Sequence, residues 1–310
     1  MYHNMKRSTL FILLFLCSLT ISAKDGIVRL HDGGQIYYEE QGEGTPVILI
    51  HGHTFDRRMW KRQVEALSKE FRVITPDMRG YGKSQYDGFR YPRTYCDDVI
   101  EFMDSLHIDK AHLVGQSQGG FIVADMVCLD PERLLSATMN SGQLRSEAGP
   151  DTPLTLSEQE EIEKRKAVAV KYGLNKWRFA WIRQLLDGGG TFAKNRVLEV
   201  RDIVKDWKGF QLLHPANHHL FYGKDARIVL KHKKPKIPVL FLSGEMEHKK
   251  PSSMMKYLPN AKFIVLRDCG HMNNMEQPEE YNKCLLDFLQ NGQDMTYEGL
   301  PQNGIIEISM

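Results

Sequence analysis

From residue 27 onward the chain switches between two hydrophobic periods. Strand patterns at 27–31 and 35–40 flank an Asp32-Gly33-Gly34 turn and predict a hairpin. Positions 46–50 form a continuous apolar run, the pattern of a strand buried on both faces. Helical spacing follows at 59–67, where Trp60, Val64 and Leu67 recur, and then a strand at 71–75. A helix at 94–106 carries Val99, Phe102, Met103 and Leu106 on one side. A strand at 111–115, a helix at 119–129 and a strand at 134–139 complete this half. Such alternation predicts an α/β fold: a mostly parallel central sheet with helices on both faces, joined by right-handed crossovers.

The rhythm breaks near Arg145 and resumes near Ile237, so the core is expected at 24–144 and 237–290, with 145–236 as an insertion. Within the insertion, 158–171 pairs opposite charges four apart (Glu160 with Lys164, Glu161 with Arg165), the mark of a solvated helix face. Trp177, Trp181 and Leu185 share one helical stripe, Gly188 to Gly190 end it, and 197–207 reads as a further helix. Alternation returns with a strand at 238–242, a helix at 252–258, a strand at 262–266 and a helix at 278–289. Residues 291–310 read as a loose extension.

The N-terminus changes the picture. Lys6 and Arg7 precede an apolar stretch at 10–21, followed by Ser22 and Ala23. This is the layout of a secretory signal peptide over 1–23, with cleavage expected after Ala23 and with Met1 or Met5 as the start. A dozen apolar residues fall short of the ~20 needed to span a bilayer, so no stable membrane span is expected in the mature chain. The protein is therefore expected to be exported, periplasmic or secreted. Cys17 raises a lipid-anchored alternative, but Leu16 stands where a small residue should precede such a cysteine.

Composition excludes several classes. With 310 residues the chain is long enough for one large α/β domain with an insertion. Charged residues make up 26% and hydrophobic residues 42%, which excludes a disordered chain, and a mean hydropathy of −0.41 excludes a multi-span membrane protein. Lys and Arg total 41 against 39 Asp and Glu, a balance with no electrostatic footprint for nucleic acid. Five cysteines are too few for a disulfide scaffold.

The chemistry centres on Gly115-Gln116-Ser117-Gln118-Gly119, between an apolar strand and a helix. A nucleophile on so sharp a turn needs small neighbours two positions away on each side. A serine hydroxyl also needs a base. His271 follows the last parallel strand and precedes the last helix, so its loop opens on the same sheet edge as Ser117. An acid should hold the imidazole. The loop after 238–242 offers Glu245 and Glu247; position favours Glu247, three residues after Gly244, with Glu245 as the alternative. The oxyanion of an acyl-transfer intermediate needs donors, for which the backbone N–H groups of Gln118 and His53 are the candidates. The side chain of His51 is expected to lock its loop.

Taken together, these pieces resemble the α/β-hydrolase fold superfamily. The matching segments are His51-Gly52, Asp77 to Ser84, Gly115 to Gly120, Ile237 to Leu240 leading to Gly244, and Gly270-His271 with Glu276 and Pro278. The resemblance implies a Ser–acid–His triad, a helical lid at 145–236 after the sixth strand, and a structural role for the Asp77–Arg79 turn. One departure is the acid, usually Asp and here Glu247. Relatives that open epoxides or displace halide carry an Asp at the elbow, so Ser117 implies an acyl-enzyme. The stretch from His51 to Ser84 looks most like the esterase, lactonase and cofactor-free haloperoxidase group.

The expectation is an exported serine hydrolase acting on a small or medium carboxylic ester or lactone, with no cofactor and no metal. Carbon–carbon bond hydrolysis, acyl transfer or perhydrolysis on the same triad is the alternative reaction, and a non-catalytic binding protein the alternative class. His214, His218 and His219 invite a metal reading, but Pro215 interrupts any helix and no carboxylate or cysteine supports the spacing. The basic run 231–236 reads as a solvated linker.

Overall fold

The computed structural model describes residues 23–85, 93–142, 144, 156–209, 226–248, 256–258, 260–296 and 305–307. Residues 1–22 of the signal peptide expected at 1–23, residues 145–155 of the expected insertion, and His214, His218 and His219 lie outside the described residues, as does most of the helix expected at 252–258.

The chain opens with the hairpin of β1 (Lys24–Arg29) and β2 (Gln35–Gln41), paired antiparallel. There follow β3 (Pro46–Ile50), α1 (Lys61–Leu67), β4 (Arg72–Pro76), α2 (Tyr95–Ser105), β5 (Ala111–Gln116), α3 (Gln118–Leu129) and β6 (Leu134–Asn140). The inserted helices are α4 (Leu156–Tyr172), α5 (Leu174–Asp187), α6 (Val197–Val204) and α7 (Ala226–Lys233). The sheet resumes with β7 (Val239–Gly244) and β8 (Ala261–Leu266), then α8 (Asn273–Glu276), α9 (Pro278–Asn291) and β9 (Ile305–Glu307). Among the described residues these form one nine-stranded sheet in the order β1-β2-β4-β3-β5-β6-β7-β8-β9. The strands from β4 to β8 run parallel; β2 and β9 join antiparallel at either side.

The pleat sorts the apolar runs onto two faces. Ile48 and Ile50 of β3, Val239 and Phe241 of β7, and Phe263 and Val265 of β8 enter one core with α2 and α3. Their neighbours Val47, Leu49, Leu240, Leu242, Ile264 and Leu266 enter the other, with α1 and α9. Successive side chains of a strand point to opposite faces, so an unbroken apolar run is what a sheet covered on both sides requires. Each such side chain contributes about 1.5–3 kcal/mol by leaving water. Helix α2 starts in a full capping box: Thr94 accepts from the Asp97 N–H while the Asp97 carboxylate accepts from the Thr94 N–H. Helix α9 begins with Pro278 and buries Tyr281, Cys284, Leu285 and Phe288 along one stripe.

Three sequence expectations are corrected. The extension 291–310 is not loose throughout: α9 runs to Asn291, and Ile305–Glu307 adds an edge strand to β8. Three residues are too few to show a period, and the pairing is non-local. The basic run 231–236 is helical at its start, since α7 includes Lys231 to Lys233. Helix α6 ends at Val204, and Trp207 sits in the following turn with its N–H on the Val204 carbonyl. In α4 the Glu161–Arg165 pair forms at 2.9 Å on an exposed face. No helix among the described residues is long and apolar enough to cross a membrane.

Candidate active site

The parallel strands end on one edge, and the loops leaving β3, β4, β5, β6, β7 and β8 deliver His53, Tyr81, Ser117, Ser141, Glu247 and His271 there. Convergence at the carboxyl ends of the strands is where open α/β sheets place their ligands.

Ser117 sits between β5 and α3 with φ 51° and ψ −111°, a strained conformation for a residue with a side chain. The flanking glycines explain how the turn closes. A Cβ on Gly115 would lie 2.1 Å from the Gly119 carbonyl oxygen, and one on Gly119 would lie 2.1 Å from that of Ile50. Ser117 also donates its backbone N–H to Asn140 at 2.7 Å, tying the turn to the end of β6. Its Oγ stands 2.8 Å from His271 Nε2, and His271 Nδ1 stands 2.8 Å from Glu247 Oε1.

Both glutamates of the β7 loop are thereby located. Glu247 Oε2 accepts from the Ser141 hydroxyl at 2.5 Å, the Ser243 hydroxyl at 3.0 Å and the Gly244 N–H at 3.3 Å. These donors hold the carboxylate with Oε1 facing the imidazole. Glu245 is exposed, and its Oε2 accepts the Asp268 N–H at 3.0 Å, a backbone-bound loop carboxylate. Glu247 is the last residue of a short 3₁₀ turn, Glu245–Glu247, whose N-cap is Gly244.

The oxyanion candidates occupy the opposite wall. Gln118 is the first residue of α3, where backbone N–H groups have no partner inside the helix and the helix dipole is positive. His53 follows β3; burial pushes its imidazole down to about 4, so it is neutral at physiological pH. His51 is fully buried, accepts the Met78 N–H at Nε2 (2.9 Å) and donates from Nδ1 to the Gly52 carbonyl (2.9 Å), which locks the loop. Arg79 is fully buried between Asp98 (2.8 and 2.9 Å) and Asp32 (3.0 Å), and Asp77 accepts from Arg57 and from the Lys83 N–H. The Asp77–Arg79 turn thus carries the framework of the site rather than its chemistry.

The inserted helices close over the His53 loop. The ring centroids of Trp177, Trp181 and Trp207 lie 6.0, 6.1 and 5.2 Å from that of His53, each edge-on. Trp181 Nε1 donates to Thr54 Oγ1 at 2.8 Å. Behind His271, Gly188 to Gly190 pack backbone to backbone on 268–270: a Cβ on Gly190 would lie 1.9 Å from the Asp268 carbonyl oxygen, and one on Gly270 would lie 2.3 Å from that of Gly188. Glu276 Oε2 accepts the N–H of Gly190 (2.8 Å) and of Gly270 (3.1 Å), and burial pushes its carboxyl up.

Several members of the site were silent in the sequence. Ser141, at φ 53°, supports Glu247. Gln116 donates to the His271 carbonyl at 2.7 Å and so ties the His271 loop to the turn that bears Ser117. Tyr81 stands 2.8 Å from Gln118 Oε1 and 3.1 Å from His53 Nδ1. Gln116 and Tyr81 lie inside the motifs at 115–119 and 77–84, but nothing in those motifs announces these contacts.

With this arrangement and topology the chain is an α/β-hydrolase-fold protein. A family model for the alpha/beta hydrolase fold matches residues 45–166. The chain is 26% identical over 305 residues to the bifunctional epoxide hydrolase 2 of Sus scrofa, covering 86% of this chain and 55% of that protein; it thus spans about half of that relative. Among solved structures it is similar to a thermophilic esterase from Thermogutta terrifontis, with 25% identity, a TM-score of 0.69 and coverage of 88% of this chain and 100% of the other. It shares its fold with an enol-lactonase from Burkholderia xenovorans LB400, at 23% identity, a TM-score of 0.67 and coverage of 86% and 100%.

Proposed function

We propose that the protein is an exported serine hydrolase that cleaves a small or medium carboxylic ester or lactone through an acyl-enzyme. The observation that carries this reading is the unbroken relay from Ser117 Oγ through both nitrogens of His271 to Glu247, each link 2.8 Å long. The likeness to the Thermogutta esterase favours an acyl substrate. The serine at the elbow argues against the carboxylate attack through which an epoxide is opened, despite the similarity to the Sus scrofa epoxide hydrolase.

On this reading, catalysis proceeds by acylation and deacylation of Ser117. Nε2 of His271 takes the Ser117 proton as Oγ bonds to the acyl carbon, and Glu247 stabilises the imidazolium. The carbonyl oxygen gains the negative charge and is received by the backbone N–H groups of His53 and Gln118. His271 returns the proton to the departing alkoxide, which leaves the acyl group on Ser117. Water, deprotonated by the same imidazole, then releases the acid and restores the serine. The inserted helices form the lid, and their tryptophans limit what reaches the oxyanion side. The N-terminal segment directs export, and the mature chain starts near Lys24.

A fluorophosphonate probe with peptide mapping, followed by a panel of esters and lactones, tests the reading. Labelling confined to Ser117 and turnover of at least one ester or lactone are expected. A folded protein that is neither labelled nor active on the panel would overturn it in favour of a binding role.

A further inference from the structure

The two oxyanion candidates come from loops distant in sequence, and a shared donor–acceptor chain joins them. The Tyr81 hydroxyl donates to Gln118 Oε1 at 2.8 Å and accepts from His53 Nδ1 at 3.1 Å. Tyr81 is 1% exposed, and its ring meets His51 edge-on at 4.8 Å. A phenol hydroxyl buried this deeply is costly unless hydrogen-bonded, and here its bonds reach the side chains on both walls of one small space. Thr54, next after His53, is held at φ 68°, a left-handed conformation unfavourable for a β-branched residue, and its hydroxyl accepts from Trp181. The loop bearing His53 is therefore pinned from below by Tyr81 and from above by the inserted helices.

We propose that Tyr81 is a positioning residue for the oxyanion hole, its hydroxyl setting the separation of the His53 and Gln118 backbone N–H groups through their side chains. This rests on the serine hydrolase reading above. Tyr81 touches neither the reacting atoms nor Ser117; its effect passes through two donors whose placement matters only once charge develops on the substrate oxygen. Its loss should therefore weaken transition-state binding and leave ground-state binding alone. A small displacement of groups at a reacting centre costs about 10- to 100-fold in rate.

The test compares wild type with Tyr81→Phe, which keeps the ring and removes the hydroxyl. Three quantities are measured with one ester substrate: kcat, KM, and the inhibition constant of a trifluoromethyl ketone, whose hemiketal oxygen occupies the hole. We expect kcat to fall about 10- to 100-fold, KM to change by less than about 3-fold, and the ketone to weaken by the same factor as kcat/KM. Gln118→Met breaks the same chain from its other end and serves if Tyr81→Phe does not fold. It should reproduce this pattern, and the double variant should lose no more than the worse single one. Unchanged kcat and ketone binding in a folded Tyr81→Phe, or a rise in KM that accounts for the whole loss, would overturn the positioning role while wild-type activity leaves the hydrolase reading intact. A wild type that neither turns over esters nor binds the ketone would overturn both.

Discussion

Replacing Glu247 by Gln changes one oxygen to an amide nitrogen, and the geometry decides which. Oε2 faces three donors, the Ser141 and Ser243 hydroxyls and the Gly244 N–H, whereas Oε1 faces one, His271 Nδ1. Hydroxyls can turn to accept, but the Gly244 N–H cannot. Putting the amide nitrogen on that side opposes donor to donor and forfeits about 1–3 kcal/mol. The amide should therefore keep its oxygen toward the three donors and aim its NH₂ at His271. The imidazole must then present its lone pair at Nδ1 and carry its proton on Nε2, facing Ser117. In that tautomer it cannot act as base, and the charge that stabilises the imidazolium is gone. Turnover should fall about 10³-fold or more, the scale of a triad base held in the wrong tautomer, while thermal unfolding shifts little because shape and most hydrogen bonds survive. Glu245→Gln is the control: its single acceptor role toward the Asp268 N–H passes to the amide oxygen, and turnover should change by less than about 3-fold. Steady-state ester hydrolysis with matched melting curves decides the matter. Equal small losses in the two variants, or a larger loss at Glu245, would refute the orientation argument.

Further outcomes follow from the same contacts. Ser117→Ala and His271→Ala should each lower hydrolysis by at least about 10³-fold with the fold retained, read as kcat against the melting temperature; a loss that tracks unfolding would count against their roles. His112 is buried against Phe71 and the Ser136 hydroxyl, and burial pushes it down to about 4. Between that value and the ordinary ~6.5 the unfolded chain binds a proton that the folded one refuses, so stability is complete above ~6.5 and falls on acidification. Denaturant titrations at pH 7 and 4.5 should show His112→Gln losing about 2–3 kcal/mol less than wild type over that interval; equal losses would exclude His112 as a source. Arg79→Met removes the guanidinium that serves both Asp98 and Asp32, and should cost about 3 kcal/mol in the same titration, the low end for a broken buried pair, because Arg93 still faces Asp98 at 2.6 Å. Mass spectrometry of the chain expressed with its N-terminus should find the mature protein beginning near Lys24 outside the cytoplasm; an intact cytoplasmic chain would remove the export proposal.

What could be read from the sequence was local. The apolar runs at 46–50 and 111–115 announce buried strands, and a serine between glycines at a strand-to-helix junction announces its own turn. His271 was legible because it follows a strand on the right edge of the sheet. Its distance from Gly244 favoured Glu247 over Glu245, but the contacts that distinguish the two carboxylates come from Ser141, Ser243 and the Asp268 N–H, two of them on other loops. Tyr81 and Gln116 act through side-chain contacts across 37 and 155 positions, to Gln118 and the His271 carbonyl. Such contacts leave no period in the chain. The edge strand Ile305–Glu307 was hidden for the same reason, being three residues long with its partner some forty positions earlier.

The backbone seam between 188–190 and 268–270 bears on how such a protein can change. Where two main chains touch, there is no side chain to exchange, and any Cβ at Gly190 would collide with a carbonyl. Gly190 and Gly270 therefore form a joint closed to substitution, while the exposed positions of α4, α5 and α6 remain open to it. These helices can be altered residue by residue while the 268–271 backbone keeps its place. On the proposed lid reading, a new substrate range would be reached by altering these helices alone, and a graft of foreign helices should succeed when its ends preserve Gly190.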